Sequence, residues 1–239
     1  MTGSSPTIGS ALDPRLRVDL EQVSATIPVD DGGGSSPLKV MLLAQLIVAE
    51  ELSRIVEIGV YRGRLMLPLA RVLWWLGRGE MVGIDPYSAE AAVQTDVERE
   101  GIDLTAWPST IDWDGLHREV EGAIERLELG ERARLIRKRS EEAADEFAAA
   151  PIDMLHVDGN HDRAAVSRDL ELYLPHIRPG GLLVMDDIAW PSVRPLYDEL
   201  AHRYEVVFSL VENGLYLWPE GGPNDFAVLR IGDAAHDGS

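Results

Sequence analysis

Short apolar runs alternate with amphipathic stretches along most of the chain. The apolar runs, which end at or near Gly, Asp or a basic residue, span residues 54–60, 80–85, 133–138, 152–158 and 181–187. Apolar residues at helical spacing lie before and between these runs, at 37–52, 64–76, 113–129, 141–149 and 164–174. This strand–helix repetition predicts a parallel sheet with helices on both faces.

The C-terminal part of the chain has a different pattern. The apolar runs at 204–211, 214–218 and 226–231 follow one another without a helical pattern between them. Strands joined by short connections pair antiparallel, so this part predicts an antiparallel edge of the sheet. In open α/β sheets, ligands bind outside the carboxyl ends of the strands. The residues that directly follow each apolar run are therefore the candidates for function.

Two segments fall outside this alternation. Residues 1–36 are rich in Ser, Thr, Pro and Gly and are predicted to form a flexible arm or lid, with a plain disordered tail as the alternative. Residues 37–239 are then expected to form one domain. An acidic segment at 89–111 interrupts the pattern after the second predicted strand.

Charge and composition exclude several classes of function. The formal net charge of −19 repels phosphate groups, so neither nucleic acid nor an anionic membrane is expected as a partner. The chain has no cysteine, which excludes disulfides and thiolate metal ligands. Its apolar runs are too short to span a bilayer, and its N-terminus lacks the pattern of a secretory signal. We therefore expect a cytoplasmic protein.

The first predicted strand runs into the turn EIGVYRGRL. A dinucleotide-binding turn follows the pattern G-x-G-x-x-G, because its backbone must approach a pyrophosphate. Aligned on Gly59, this turn has Glu57 and Arg62 in place of the other two glycines, which disfavours NAD. The second strand ends in Asp85, a carboxylate that can accept both hydrogen bonds of a ribose diol.

The remaining pattern, E-x-G-x-x-x-G, resembles the first motif of class I S-adenosylmethionine-dependent methyltransferases. The resemblance implies a Rossmann-like α/β fold, with a mostly parallel seven-stranded sheet and an antiparallel C-terminal edge. It also implies cofactor-binding roles for Glu57, Gly59, Tyr61, Gly63, Asp85 and Ser140. Helix capping is the alternative role for Ser140, and another kind of α/β domain is the alternative for the motif as a whole.

Aspartates close the fourth and fifth predicted strands, in the sequences DGNHDRAAV and VMDDI. If these strands are neighbours, about 4.8 Å apart, then Asp158, Asp186 and Asp187 lie close together. Such carboxylates repel one another unless protons or a cation intervene, and their oxygens suit Mg²⁺ or Mn²⁺. Both members of the acidic pair can reach one ion only if the fifth strand stops near Met185. Turn and capping chemistry is the alternative for each motif.

Residues 152–188 resemble the metal-dependent O-methyltransferases of macrolide and aminocoumarin sugars, and the related cephalosporin-biosynthesis methyltransferases. The resemblance implies that Asp158, Asp186 and Asp187 bind Mg²⁺ (or Mn²⁺). It gives catalytic roles to Asp158 and to His161, which serves as the base in some members. It also implies that the region 89–131 determines the substrate.

The activity so implied is methyl transfer from S-adenosylmethionine to a hydroxyl of a small natural product, first of all a sugar with vicinal hydroxyls. A catechol-type O-methyltransferase is the alternative within the enzyme class. A non-catalytic protein that binds the cofactor or a partner protein is the alternative from another class. The resemblance is compatible with a homo-oligomer.

Overall fold

The computed structural model describes residues 12–29, 34–96, 103–148, 150–211 and 225–232. The helices are Pro14–Ala25 (α1), Pro37–Ala49 (α2), Met66–Leu76 (α3), Ala89–Ala92 (α4), Trp113–Arg126 (α5), Ser140–Ala143 (α6), Arg163–Tyr173 (α7) and Arg194–Arg203 (α8). The strands are Arg54–Ile58 (β1), Glu80–Ile84 (β2), Ala133–Ile136 (β3), Ile152–Val157 (β4), Ile177–Met185 (β5), Glu205–Val211 (β6) and Asp225–Ile231 (β7). Within these described residues, no helix is both long and apolar enough to cross a membrane.

The strands form one sheet in the order β3-β2-β1-β4-β5-β7-β6. Strands β1 to β5 pair in parallel, and β7 runs antiparallel to both of its neighbours. The predicted parallel sheet with an antiparallel edge is therefore confirmed. The chain builds outward from β1 to β3 and then returns to place β4 on the other side of β1, so the strand order reverses there. This reversal is the point at which open α/β sheets bind ligands.

Alternate residues of the central strands face opposite helix layers, as strand geometry requires. On β4, Met154 packs in the core with α1, α2, α3 and α5, whereas Leu155 packs in the core with α6, α7 and α8. His156 therefore lies on the same face as Met154, and the β1–β4 register pairs it with Glu57. The face that contacts α2 thus carries a glutamate and a histidine where an apolar pair is expected.

Part of the predicted arm is a packed helix. Leu16, Leu20 and Val23 of α1 are buried, and Trp75 of α3 donates a hydrogen bond from Nε1 to Asp19 at 2.6 Å. The first eleven residues and the segment 30–33 lie outside the described residues, so closure of the arm over a filled site stays a prediction. The predicted run at 214–218 also lies outside the described residues.

Two boundaries affect the site. Strand β5 begins at Ile177, four residues before the predicted run, but it ends at Met185, where the prediction required it to stop. The region expected to determine the substrate contains α5, whose Leu116 and Val120 are buried in the core. This region is therefore partly a regular crossover helix between β2 and β3 and only partly a surface segment.

Candidate active site

A cavity of about 290 Å³ opens at the carboxyl ends of β1, β2 and β4. This volume is at the lower end of the range for small-molecule sites. Five of the six residues predicted to bind the cofactor line it, namely Glu57, Gly59, Tyr61, Asp85 and Ser140. The sixth, Gly63, does not line the cavity; its N–H donates to the carbonyl of Val60 at 2.8 Å, within the turn that leads to α3.

The glycine after β1 is required by the neighbouring loop. Gly59 has a φ of +88°, and a Cβ at this position would lie 2.1 Å from the carbonyl oxygen of Asp158. No side chain fits at that distance, so only glycine lets the turn after β1 approach the turn after β4 this closely. This close approach places the turn after β1, which is predicted to bind the cofactor, against the turn after β4, which is predicted to bind the metal ion.

Asp85 supports the same turn from the other side. Its Oδ2 accepts hydrogen bonds from the backbone N–H groups of Val60 and Tyr61, both at 3.0 Å, and its Oδ1 accepts from Tyr87 N–H at 2.7 Å. Burial raises the pKa of this carboxyl, and the backbone donors oppose the rise. The carboxylate at the end of β2 therefore fixes the backbone that surrounds the cavity, whatever else it binds.

Ser140 does not cap α6, because Arg139 holds the N-cap position. Its hydroxyl instead contacts the carboxyl of Asp169, a buried residue of α7 that also lines the cavity. Burial raises the pKa of Asp169 to about 6. The backbone carbonyl of Ser140 accepts a hydrogen bond from Tyr173 at 2.7 Å. Polar groups of α6 and α7 thus form the wall of the cavity on the side of β3.

A row of four buried charged groups lies beneath the cavity, and we call it the inner row: Glu57, His156, Asp186 and Lys39. His156 Nδ1 lies 3.2 Å from Glu57 Oε1, and His156 Nε2 lies 3.5 Å from Asp186 Oδ2. The ammonium of Lys39, from α2, donates a hydrogen bond to Asp186. All four side chains are at most 8% exposed, so acids and bases alternate in a row that is closed to solvent.

The charges of the inner row stabilise one another. Burial acts to lower the pKa of His156, but the adjacent carboxylates of Asp186 and Glu57 outweigh it and raise that pKa to about 9. Burial also opposes the charge of Lys39, yet Asp186 and the nearby Asp158 raise its pKa to about 12. Against its own burial, Asp186 has a pKa well below the ordinary value because of Lys39 and His156. The second oxygen of Glu57 is buried and has no hydrogen-bond partner among the described residues.

A second group, the outer triad, consists of Asp158, His161 and Asp187. His161 Nε2 lies 2.5 Å from Asp187 Oδ2 and 3.6 Å from Asp158 Oδ1. These side chains are 13% to 19% exposed, and Trp190 packs on the imidazole with ring centroids 4.8 Å apart. Asp187 has a φ of +52°, so the chain turns directly after β5 and brings this carboxylate beside the loop after β4.

The two acids of the outer triad suit a hard cation, and His161 lies beside them. Ligand atoms of its three residues lie within 4.8 Å of one another. Burial and the charge of Asp186 raise the pKa of Asp158 to about 7. Without a cation, this carboxyl therefore binds a proton more readily, which reduces the repulsion between the acids. Against burial, Asp187 and Asp158 raise the pKa of His161 to about 10. The residues present therefore fit a divalent ion, because each of these shifts compensates an excess of negative charge.

Each predicted acid lies at this edge of the sheet, but the acidic pair is divided. Asp187 belongs to the outer triad, whereas Asp186 contacts Lys39 and His156 and acts on Asp158 through its charge. Asp186 and Asp187 do not line the cavity itself, in contrast to Asp158.

The sequence patterns missed two charged residues of this site. Lys39 is the only charged residue within α2, and a lone charge in a mostly apolar helix was the signal that could have identified it. Asp225 begins β7; burial and the charge of Asp187 raise its pKa to about 7. Its Oδ2 accepts a hydrogen bond from Ala189 N–H at 3.1 Å and so supports the turn that carries Asp187.

Comparisons with known proteins agree with the fold. Residues 56–188 match the family described as a methyltransferase domain. One similar solved structure is the O-methyltransferase TomG from Streptomyces achromogenes, which is involved in tomaymycin synthesis and was solved with S-adenosylmethionine. TomG is 18% identical, with a TM-score of 0.61 over 93% of this chain and 92% of TomG. The O-methyltransferase NovP is 15% identical, with a TM-score of 0.62 over 92% of this chain and 98% of NovP.

A third solved structure, the calicheamicin methyltransferase CalS11, is 15% identical, with a TM-score of 0.57 over 98% of this chain and 99% of CalS11. At such identities these likenesses establish the fold. A search of curated proteins found no match.

Proposed function

The chain belongs to the methyltransferase domain family, and from that premise we propose that it is a Mg²⁺-dependent O-methyltransferase that uses S-adenosylmethionine. The acceptor that we favour is a small natural product, in particular a sugar hydroxyl with a second hydroxyl beside it. One observation carries the proposal: Asp158, Asp186 and Asp187 meet at the ends of two adjacent strands, directly beside a cavity lined by the predicted cofactor residues.

The cavity suits S-adenosylmethionine at the turn after β1. The partnerless oxygen of Glu57 is a buried acceptor, and an unpaired acceptor costs free energy until a donor reaches it. The amino group at the amino-acid end of S-adenosylmethionine supplies such a donor. Its sulfonium carries an activated methyl group, so the chain has to position the acceptor and remove a proton from it.

The outer triad carries out both tasks in this proposal. Asp158 and Asp187 would hold the ion, with Asp186 as the third carboxylate. A divalent ion bound there would lower the pKa of a hydroxyl and orient it. With their charge compensated, Asp158 and Asp187 would no longer hold the proton on His161. The neutral imidazole then takes the proton of the acceptor, and Trp190 keeps the ring in place.

The choice of acceptor rests on charge and on the named relatives. A formal net charge of −19 favours neutral or cationic acceptors over phosphorylated ones. TomG takes part in tomaymycin synthesis, and CalS11 is a calicheamicin methyltransferase. Both names support a natural product as the acceptor of this chain. A catechol would use the same ion, so it belongs in the same assay.

The test is methyl transfer from labelled S-adenosylmethionine to a panel of sugars and catechols. We expect turnover that a chelator abolishes and that Mg²⁺ or Mn²⁺ restores. Asp187→Asn is expected to lose turnover, and His161→Ala is expected to lose roughly 10²–10⁴-fold, the usual contribution of a positioned base. The matched control is Asp145→Asn, which changes an exposed acid that belongs neither to the outer triad nor to the lining of the cavity. Full activity in chelator, with unchanged turnover in Asp187→Asn, would overturn the proposal.

A further inference from the structure

The loop that carries Asp158 and His161 is fastened to the segment after α4. Asn160 donates from its side-chain nitrogen to the carbonyls of Ala91 and Val93, at 3.1 and 2.7 Å. Asp162 accepts from the backbone N–H of Thr95 at 2.7 Å and of Asp96 at 2.8 Å. Each of these contacts joins a side chain of this loop to the backbone of the segment after α4, and none of them touches the imidazole.

Gln94 makes a different contact from its neighbours in this segment. Its side-chain Oε1 lies 3.1 Å from the backbone nitrogen of His161 and 3.1 Å from the Nδ1 of the same residue. Gln94 also lines the cavity. One amide group thus touches both the main chain and the ring of a single histidine.

The chemistry of this contact identifies the protonated ring nitrogen. A backbone N–H can only donate, so the atom of Gln94 that it meets must be the amide oxygen and not the amide nitrogen. An amide oxygen can only accept, so the Nδ1 of His161 must also carry a hydrogen. This conclusion holds for the neutral imidazole and for the cation, because Nδ1 is protonated in both.

The remaining ring nitrogen is the one that faces the acids. Nε2 lies 2.5 Å from Asp187 and 3.6 Å from Asp158, and Trp190 limits tilting of the ring. A neutral imidazole has only one N–H. If that hydrogen is on Nδ1, the lone pair of Nε2 points toward the carboxylates that are proposed to hold the ion.

We propose that Gln94 is a positioning residue for His161, because its amide oxygen holds the hydrogen on Nδ1 and aims the lone pair of Nε2 at the acceptor site. The role as base rests on the proposed function, whereas the tautomer and the ring orientation do not. The segment after β2, expected to determine the substrate, then has a second role in preparing the base. A Leu at position 94 retains the size of the side chain but offers His161 no acceptor.

The experiment is ¹⁵N nuclear magnetic resonance of the imidazole nitrogens in the full-length protein with Mg²⁺ and S-adenosylhomocysteine. His161 is assigned by comparison with His161→Asn. In the wild-type protein we expect hydrogen on Nδ1 and slow exchange of that hydrogen with water. In Gln94→Leu, exchange is expected to become about tenfold faster, the scale of one lost hydrogen bond, and the neutral ring is expected to shift toward the tautomer protonated at Nε2.

Two variants separate positioning from a general loosening of the loop. Gln94→Glu keeps an oxygen acceptor and is expected to retain the Nδ1 hydrogen and its slow exchange. Thr95→Val removes the 2.9 Å hydrogen bond from the Thr95 hydroxyl to Asp162 and is expected to leave the His161 spectrum unchanged.

An unprotonated Nδ1 in the wild-type protein would overturn the inference, even if Gln94→Leu failed to fold. Equal changes in Thr95→Val and Gln94→Leu would overturn it as well. A different result, the absence of metal-dependent methyl transfer, would overturn the proposed function. The nuclear magnetic resonance spectrum of His161 does not depend on whether methyl transfer occurs.

Discussion

The inner row and the outer triad use the same kinds of residue within one edge of the sheet, yet they balance charge differently. In the inner row, the acids Glu57 and Asp186 are matched by two protein cations, Lys39 and His156, and no side chain is more than 8% exposed. In the outer triad, two acids share a single histidine beside the cavity.

The difference indicates which group serves as scaffold and which is open to a ligand. Buried charges are retained only when they are paired, and in the inner row the protein's own side chains supply as many cations as acids. The outer triad keeps an excess acid, and burial together with the charge of Asp186 raises the pKa of Asp158 in it. A cation from solution is therefore expected to bind in the outer triad, supported from below by Asp186.

Removal of Lys39 is expected to have the largest effect on stability. Lys39→Met leaves the buried carboxylate of Asp186 without its ammonium, and breaking a buried pair on one side costs about 3–5 kcal/mol. The measurement is the free energy of unfolding from urea titration, in chelator so that no ion replaces the lost charge.

The other lysine of the chain provides the control. Lys138 also forms an ion pair, with Glu146 at 2.9 Å, but its side chain is 49% exposed. Exposed pairs contribute at most about 1 kcal/mol, so Lys138→Met is expected to change little. If the two variants cost the same, the inner row does not depend on its buried cation, and the comparison fails.

A rise in pH is expected to have a smaller effect on the stability of the folded protein. The pKa of His156 is raised from 6.5 to about 9 in the folded protein. The stability that this histidine contributes is therefore fully present below pH 6.5 and is lost as the pH rises through 9. At roughly 1.4 kcal/mol per pKa unit, a rise from 6.5 to about 9 corresponds to a contribution of at most about 3–4 kcal/mol. Asp158 and His161 also have raised pKa values and act in the same direction.

His156→Gln isolates this contribution, because glutamine retains hydrogen bonding but has no charge to lose. Urea titrations between pH 6 and 10, in chelator, should show the gap between wild type and variant closing as the pH rises. A gap that stays constant over this range would mean that His156 is not held as a cation by Glu57 and Asp186.

Local sequence patterns were sufficient to predict the fold, but they predicted only part of the site. The strands followed from apolar runs that end in turn residues, and the acids at the ends of β4 and β5 were recognisable because strand ends carry ligands. The partners of those acids could not be recognised in the sequence, because Lys39 and Asp186 are 147 positions apart. Such a contact depends on how α2 lies on the sheet, which no periodicity encodes. The division of Asp186 from Asp187 depends on the turn after Met185, where a single φ decides the direction of a side chain.

Binding of Mn²⁺ tests most directly whether the outer triad is a cation site. Electron paramagnetic resonance counts free Mn²⁺ during a titration, without an acceptor and without turnover. We expect one Mn²⁺ per wild-type chain, at least about tenfold weaker binding in Asp187→Asn and in Asp158→Asn, and wild-type affinity in the exposed control Asp145→Asn. No bound Mn²⁺ in the wild-type protein, or equal affinity in all four proteins, would contradict the account.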